Sequence, residues 1–197
     1  MKNKIFLLIV VAIAISGCRV NSFTTAYESV SFAPKPTSDS LWLITPVIHY
    51  ADFTDAYDLL AVKELKGLLK DKLVTQEMLR TMHLTQPIDL NHKELFLKSL
   101  QATSAEFWVV CSLGSEKNDP FETFHQPKDY MKQQAVAYIR IFEIATGKEI
   151  YKQKVFTKLN KFDPDDEDRI IFMASEGRLH YKALQKALKN LKKDMGK

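Results

Sequence analysis

Five histidines, twenty-four carboxylates and two cysteines are the groups of this 197-residue chain with which chemistry could be done. The histidines stand at 49, 83, 92, 125 and 180. None is paired at the helical spacing that aims two imidazoles at one zinc ion, and no cysteine–histidine cluster accompanies them, so no metal site is expected. Six glycines leave no glycine-rich phosphate loop and no G-x-S-x-G elbow, and Gly114-Ser115 stands alone. No cofactor is implied. The run Asp163-Pro-Asp-Asp-Glu-Asp168 has calcium-loop density of charge, but Asp168 falls where the loop glycine belongs and Ala174 where the bidentate glutamate belongs. A helix start accounts for it. Asp52, Asp55 and Asp58 could be cast as acid and base for glycan hydrolysis, yet such pairs are defined by geometry, and helix capping explains them with less. Cys111 lies in Phe107-Trp108-Val109-Val110-Cys111, where a thiol is expected to act as a small buried hydrophobe rather than a nucleophile. No catalytic residue emerges.

Cys18 is different, because what precedes it is a processing signal. Lys2 and Lys4 form a positive amino end, Ile5 to Ile15 an unbroken apolar run of 11 residues, and Ser16-Gly17 the small residues an export peptidase needs. A membrane-spanning helix takes about 20 apolar residues, so this run reads as a cleaved signal. Ile15-Ser16-Gly17-Cys18 resembles the lipobox of bacterial lipoproteins, in which the cysteine carries a thioether-linked diacylglycerol and the chain is cut before it. Two or three acyl chains hold a protein on a bilayer where one gives only reversible binding, each buried methylene contributing about 0.8 kcal/mol. In that family Asp after the cysteine accompanies inner-membrane retention; here the residue is Arg19, and the expected address is the outer membrane, facing the periplasm.

The formal net charge is +4, and about +2 once Lys2 and Lys4 leave with the signal, with both signs mixed throughout. That is not a nucleic-acid footprint. Lys182, Lys186, Lys189 and Lys193 line one face of the last helix, either solvated or set beside an anionic lipid or glycan. Phe121, Phe124 and Tyr130 stand among polar residues in a 20-residue connection, Ser115 to Gln134, longer than most in a compact domain. Loop aromatics of this kind either fold onto the core or anchor a partner, which makes these three the candidate partner-binding residues.

The elements that must position these groups follow from periodicity. Residues 1–17 are the signal peptide, 18–40 a lipidated flexible tether rich in Ser, Thr, Asn and Pro, and 41–197 a single domain of ordinary size. Fully stretched, the tether would reach about 70 Å. Leu41 to Val47 reads as a buried strand with Pro46 near its end. A helix opens at Asp52 or Thr54 with Leu59, Val62, Leu65, Leu69 and Leu73 as its apolar face. Met78 to Leu90 reads as an edge strand. Asn91 and Glu94 form a capping box, with Leu90 stapled to Leu95, for a helix to about Ala102. Phe107 to Leu113 is the central strand; Ala135 to Ile144 and Ile150 to Leu159 form a hairpin whose turn uses Gly147 at positive φ. Asp163 and Pro164 open the last helix, whose stripe runs Ile170, Ala174, Gly177, Tyr181, Leu184, Leu188, Leu191, Met195. Gly177 would allow that helix close to the sheet, or break it in two. The order β-α-β-α-β-β-β-α defines an α/β sandwich of two or three layers on a mixed sheet, its first three strands parallel.

With the lipobox, this order, and Ile139-Arg140-Ile141-Phe142-Glu143-Ile144-Ala145-Thr146-Gly147-Lys148-Glu149-Ile150, the chain resembles the periplasmic α/β domain shared by the penicillin-binding-protein activator LpoB, the amino-terminal domain of TolB and the curli-secretion lipoprotein CsgG. The resemblance implies a non-enzymatic domain that binds partners or assembles, with no catalytic residue to carry over. Residues 115–134 lack the alternating segments of about 10 residues that pore strands require, and no propeller follows. The leading expectation is a lipid-anchored adaptor for an unidentified envelope protein or glycan. Its rivals are a hydrolase acting on envelope glycan or lipid, which needs converging carboxylates in a pocket, and a lipid or ligand carrier, which needs an apolar cavity.

Overall fold

The computed structural model describes residues 22–27, 33–37, 39–49, 54–81, 93–115, 119–121, 134–158 and 176–196. Seven strands make one mixed sheet: β1 (Ser22–Tyr27), β2 (Leu41–Ile44), β3 (Ile48–His49), β4 (Leu73–Thr75), β5 (Ala105–Gly114), β6 (Gln134–Glu143) and β7 (Lys148–Lys158). Four α-helices accompany it: α1 (Thr54–Leu69), α2 (Gln76–Thr81), α3 (Lys93–Leu100) and α4 (Glu176–Met195). Across the sheet the order is β1-β7-β6-β5-β2-β4, with β3 beside β5. β2, β4 and β5 run parallel and β5, β6, β7 and β1 antiparallel. The expected α/β class, the mixed sheet and the central place of β5 are therefore found.

Alternation along the strands divides the core into two. Trp42, Phe107, Val109, Ile139, Ile141 and Tyr151 face α1 and α4, which bury Leu65, Leu69, Leu184, Leu188 and Leu191 against them. Leu43, Trp108, Val110, Phe142 and Ile144 face the other way and are covered by Phe96 and Leu100 of α3 and by Phe121. The sandwich thus has three layers. Each buried Leu, Ile or Phe contributes about 1.5–3 kcal/mol. Both tryptophans are fully buried, and each indole N–H is satisfied: Trp42 donates to Ser40 Oγ at 3.1 Å and Trp108 to Thr45 Oγ1 at 3.2 Å.

Several local expectations are corrected. The segment read as tether contains β1, which pairs residue for residue with β7 from Ser22↔Lys158 to Tyr27↔Gln153. Phe23, Thr24, Thr25 and Tyr27 are strand formers, and Pro34 and Pro36 restrict only the chain beyond them. The strand read over Leu41 to Val47 stops at Ile44 and resumes at Ile48. Pro46 has no N–H to give, and Val47 gives its own to Asp58 Oδ1 at 2.6 Å. Of the edge strand expected over Met78 to Leu90, Met78 to Thr81 is helical as part of Gln76–Thr81 and residues 82–90 lie outside the described residues; the strand at this edge of the sheet is Leu73–Thr75. Leu73 belongs to that strand rather than to α1, because Lys70 enters the left-handed region (φ 56°) and ends the helix. Thr75 Oγ1 then accepts from Met78 N–H at 3.3 Å, an N-cap for α2.

On α1, Leu59 is 71% exposed, and Tyr57, Leu60 and Ala61 take the inward places beside Leu65 and Leu69. Leu95 is also exposed, and Phe96 carries the contact of α3. The stripe of α4 holds at Leu184, Leu188, Leu191 and Met195, but Tyr181 is exposed, and Leu179, Ala183 and Ala187 complete the buried face. Gly177 permits close approach to α1 rather than to the sheet: a Cβ there would meet Tyr57 Oη at 3.3 Å, and Tyr57 Oη donates to Gly177 O at 3.2 Å. Gly147 holds φ 70° in the β6–β7 turn, as expected. Leu90, Asn91, Asp163, Pro164, Ile170 and Ala174 lie outside the described residues.

Candidate functional site

Two features of the described residues have the make-up of sites. One is the root of the long β5–β6 connection. Arg140 stands in the middle of β6 on the α3 side and is 4% exposed. A guanidinium there must be paired, since a lone buried charge is strongly disfavoured. Asp119 supplies one carboxylate, its Oδ2 receiving Arg140 Nη2, and Glu149 on β7 supplies another, with Nη1–Oε2 at 3.0 Å. Asp119 Oδ1 accepts from Ser112 Oγ at 2.6 Å and from the Phe121 N–H at 3.0 Å. The chain is thereby fastened to the sheet, and the Phe121 ring lies under Arg140 Cζ at 5.1 Å, between Trp108 at 5.9 Å and Phe142 at 5.6 Å.

Phe121 is therefore a core residue and not an exposed partner anchor. The reason is local: the carboxylate Arg140 requires comes from Asp119, and turning that residue inward carries Phe121 with it. Phe124 and Tyr130 lie outside the described residues, as does Cys18. Sequence reasoning missed the Arg140–Asp119–Glu149 cluster. The available signal was an arginine in the midst of the apolar run Ala135 to Ile144, which calls for a buried counter-charge.

The second feature is a crevice of about 270 Å³ at the carboxyl ends of β2 and β4. Beyond β2 the chain runs through β3 to α1, and beyond β4 it enters α2; α1 and α3 cover opposite faces of the sheet, and in open α/β sheets ligands favour the carboxyl ends of strands at such points. Its walls include Ile44, Pro46, Leu59 and Val62, with Thr45, Asp58, Thr75, Gln76 and Glu77 as polar members. Asp58 is half-buried, and burial raises its carboxyl above the ordinary 3.8; the Val47 N–H and the nearby His49 pull it partly back. Its bond to Val47 explains Asp58 better than helix capping does. Asp55 sits in the first turn of α1, exposed, and Asp52 is outside the described residues.

Among the described residues, Cys111, His180 and His49 serve packing. Cys111 is fully buried, and burial pushes its thiol up to about 12. His180 is buried with Nε2 at 3.3 Å from Gly114 O, and His49 meets Tyr57 edge-on at 5.2 Å. Among the described residues no three of His, Cys, Asp and Glu gather as a metal site would require.

No protein family matches the chain by sequence, and no curated protein does. Solved structures do match in shape. A variant of the PelC dodecamer from Paraburkholderia phytofirmans superposes with a TM-score of 0.50 at 8% identity, covering 87% of this chain and 99% of that one. The LpoB C-terminal domain from Salmonella enterica gives 0.41 at 12% identity over 67% of this chain and 87% of its own. A lipoprotein from Neisseria meningitidis gives 0.38 at 10% identity, over 65% and 86%. The chain is thus structurally similar to PelC and, more distantly, to LpoB, and what the likeness to PelC establishes is the fold.

Proposed function

We propose that this chain is a lipoprotein of the bacterial envelope, anchored by acyl chains on Cys18 in the outer membrane, whose periplasmic domain binds and assembles protein partners and performs no catalysis. The observation that carries the reading is Ile15-Ser16-Gly17-Cys18 placed directly behind a basic and then apolar amino end. Arg19 in place of Asp favours the outer membrane. The fold shared with PelC, which is a dodecamer, supports assembly as the working form. Phe124 and Tyr130 are the remaining candidates for contact with an envelope protein or glycan.

Mass spectrometry of the mature protein tests the anchor: the amino-terminal peptide should begin at diacylglyceryl-modified Cys18, and Cys18→Ser should stop processing. An unmodified amino terminus elsewhere would refute it. Chemical crosslinking in intact envelopes tests the assembly. A ladder of multiples of the chain, or a defined heteromeric band weakened by Phe124→Ala with Tyr130→Ala, is the expected result, and a bare monomer at every crosslinker length contradicts it.

A further inference from the structure

The register of β1 fixes where the domain stands relative to its anchor. Ser22 pairs with Lys158, so the sheet begins four residues after Cys18. Four residues span at most about 14 Å, against the roughly 70 Å that a free tether to residue 40 would allow. The end of the sheet that holds Ser22 is well defined. β5 finishes there, with Gly114 opposite Val136, and β6 starts there at Gln134, which faces Lys158. The first turns of α4 lie at the same end, since His180 Nε2 is 3.3 Å from Gly114 O, whereas Asp194 near its other end contacts Tyr151 early in β7. The connections from β5 to β6 and from β7 to α4 both leave and return at this end. The β6–β7 turn around Gly147 is at the opposite one.

We propose that the domain is seated directly on the lipid surface that Cys18 enters, with the end carrying Ser22, Gly114, Gln134 and Lys158 toward the bilayer. The proposal rests on the acylation of Cys18 proposed above. The headgroup layer on each side of the hydrocarbon is about 5–8 Å deep, so a 14 Å leash leaves no room for a further domain between this end, with its own connections, and the membrane. The two ends of the 115–134 connection then lie near lipid, and the Gly147 turn points away; the crevice beside Asp58, whose Ile44 is level with Val109 and Ile141, stands back from the surface. The basic face of α4 runs from this end to the other, so only Arg178 and Lys182 come within a Debye length of about 8–10 Å of the headgroups. The helix is a strut and not a surface-lying amphipathic anchor.

The test uses the full-length acylated protein in vesicles of phosphatidylethanolamine and phosphatidylglycerol carrying an acceptor dye on a fraction of headgroups. A donor dye is placed through Arg178→Cys at the near end or Ala145→Cys at the far end, both exposed positions. The buried thiol of Cys111 does not compete for the label. The ten residues of β6 put the two ends about 30 Å apart, so energy transfer from position 178 should exceed that from position 145 severalfold. Replacing residues 22–27 with Gly and Ser, which removes the pairing and keeps the anchor, should erase the difference. Equal transfer from both sites in acylated, vesicle-bound protein overturns the seating and leaves the anchor standing. Protein that lacks the acyl chains and does not float with vesicles overturns both.

Discussion

Arg140 is held between a buried Asp119 and a partly exposed Glu149, and the consequences of that placement can be measured side chain by side chain. Asp119→Ala leaves a buried guanidinium without its nearest carboxylate and releases the Phe121 N–H and Ser112 Oγ together. It should cost about 3–5 kcal/mol in urea melts. Pairing Asp119→Leu with Arg140→Met should recover most of that loss, because two apolar side chains leave no fully buried charge and the remaining carboxylate, Glu149, is partly exposed to water. Failure of the double variant to recover would mean that the cluster fixes the connection's conformation as well as neutralising charge. Asp58 gives a pH dependence. Its carboxyl is raised above 3.8 by burial, so the folded protein binds that proton more tightly than the unfolded chain. The stability this contributes is full below the unfolded value and is lost as pH rises through the folded one. Asp58→Asn removes the dependence and keeps an oxygen for Val47 N–H. Relative to the parent it should therefore do better near neutrality than below about pH 4, the outcome to read from denaturation midpoints at the two pH values.

Among the elements, α4 has the most sharply divided faces. Leu184 and Leu188 are buried against the sheet while Lys186 between them is exposed. Leu184→Ala should lower stability by about 2–5 kcal/mol, and Lys186→Ala should stay within about 0.5 kcal/mol. Equal losses would mean the helix is rotated from its described face. This division was legible in the sequence because the stripe is long enough for its period to be unambiguous. The β5–β6–β7 unit was legible for the same reason, helped by a glycine at the turn. β4 was not: its three residues continue the leucine spacing of α1, and only the backbone reversal at Lys70 separates them. Leu59 was assigned inward because leucine fits the helical period, although Tyr57, Leu60 and Ala61 fill the interface. The polar cluster at Arg140 escaped because Asp119 comes from the β5–β6 connection and Glu149 from the start of β7, and they converge only after the sheet forms. β1 escaped because its partner is at the other end of the chain, so nothing local marks it as paired.

At the scale of the whole molecule, the strand that comes first in the chain joins the sheet beside one that comes almost last. Loop closure over that span carries an entropic cost that β5, β6 and β7, joined by shorter connections, meet earlier. Replacing residues 22–27 with Gly and Ser should therefore leave the refolding rate of the remainder nearly unchanged and appear as faster unfolding. A slowed refolding phase would place β1 in the nucleus instead. During synthesis the consequence is one of timing. Until β7 has been made, Ser22 to Tyr27 lacks the strand it pairs with. Once β7 arrives, the same six residues cover its free side and become the edge strand of the sheet themselves. The completion of the sheet is thus timed by where a single strand finds its neighbour.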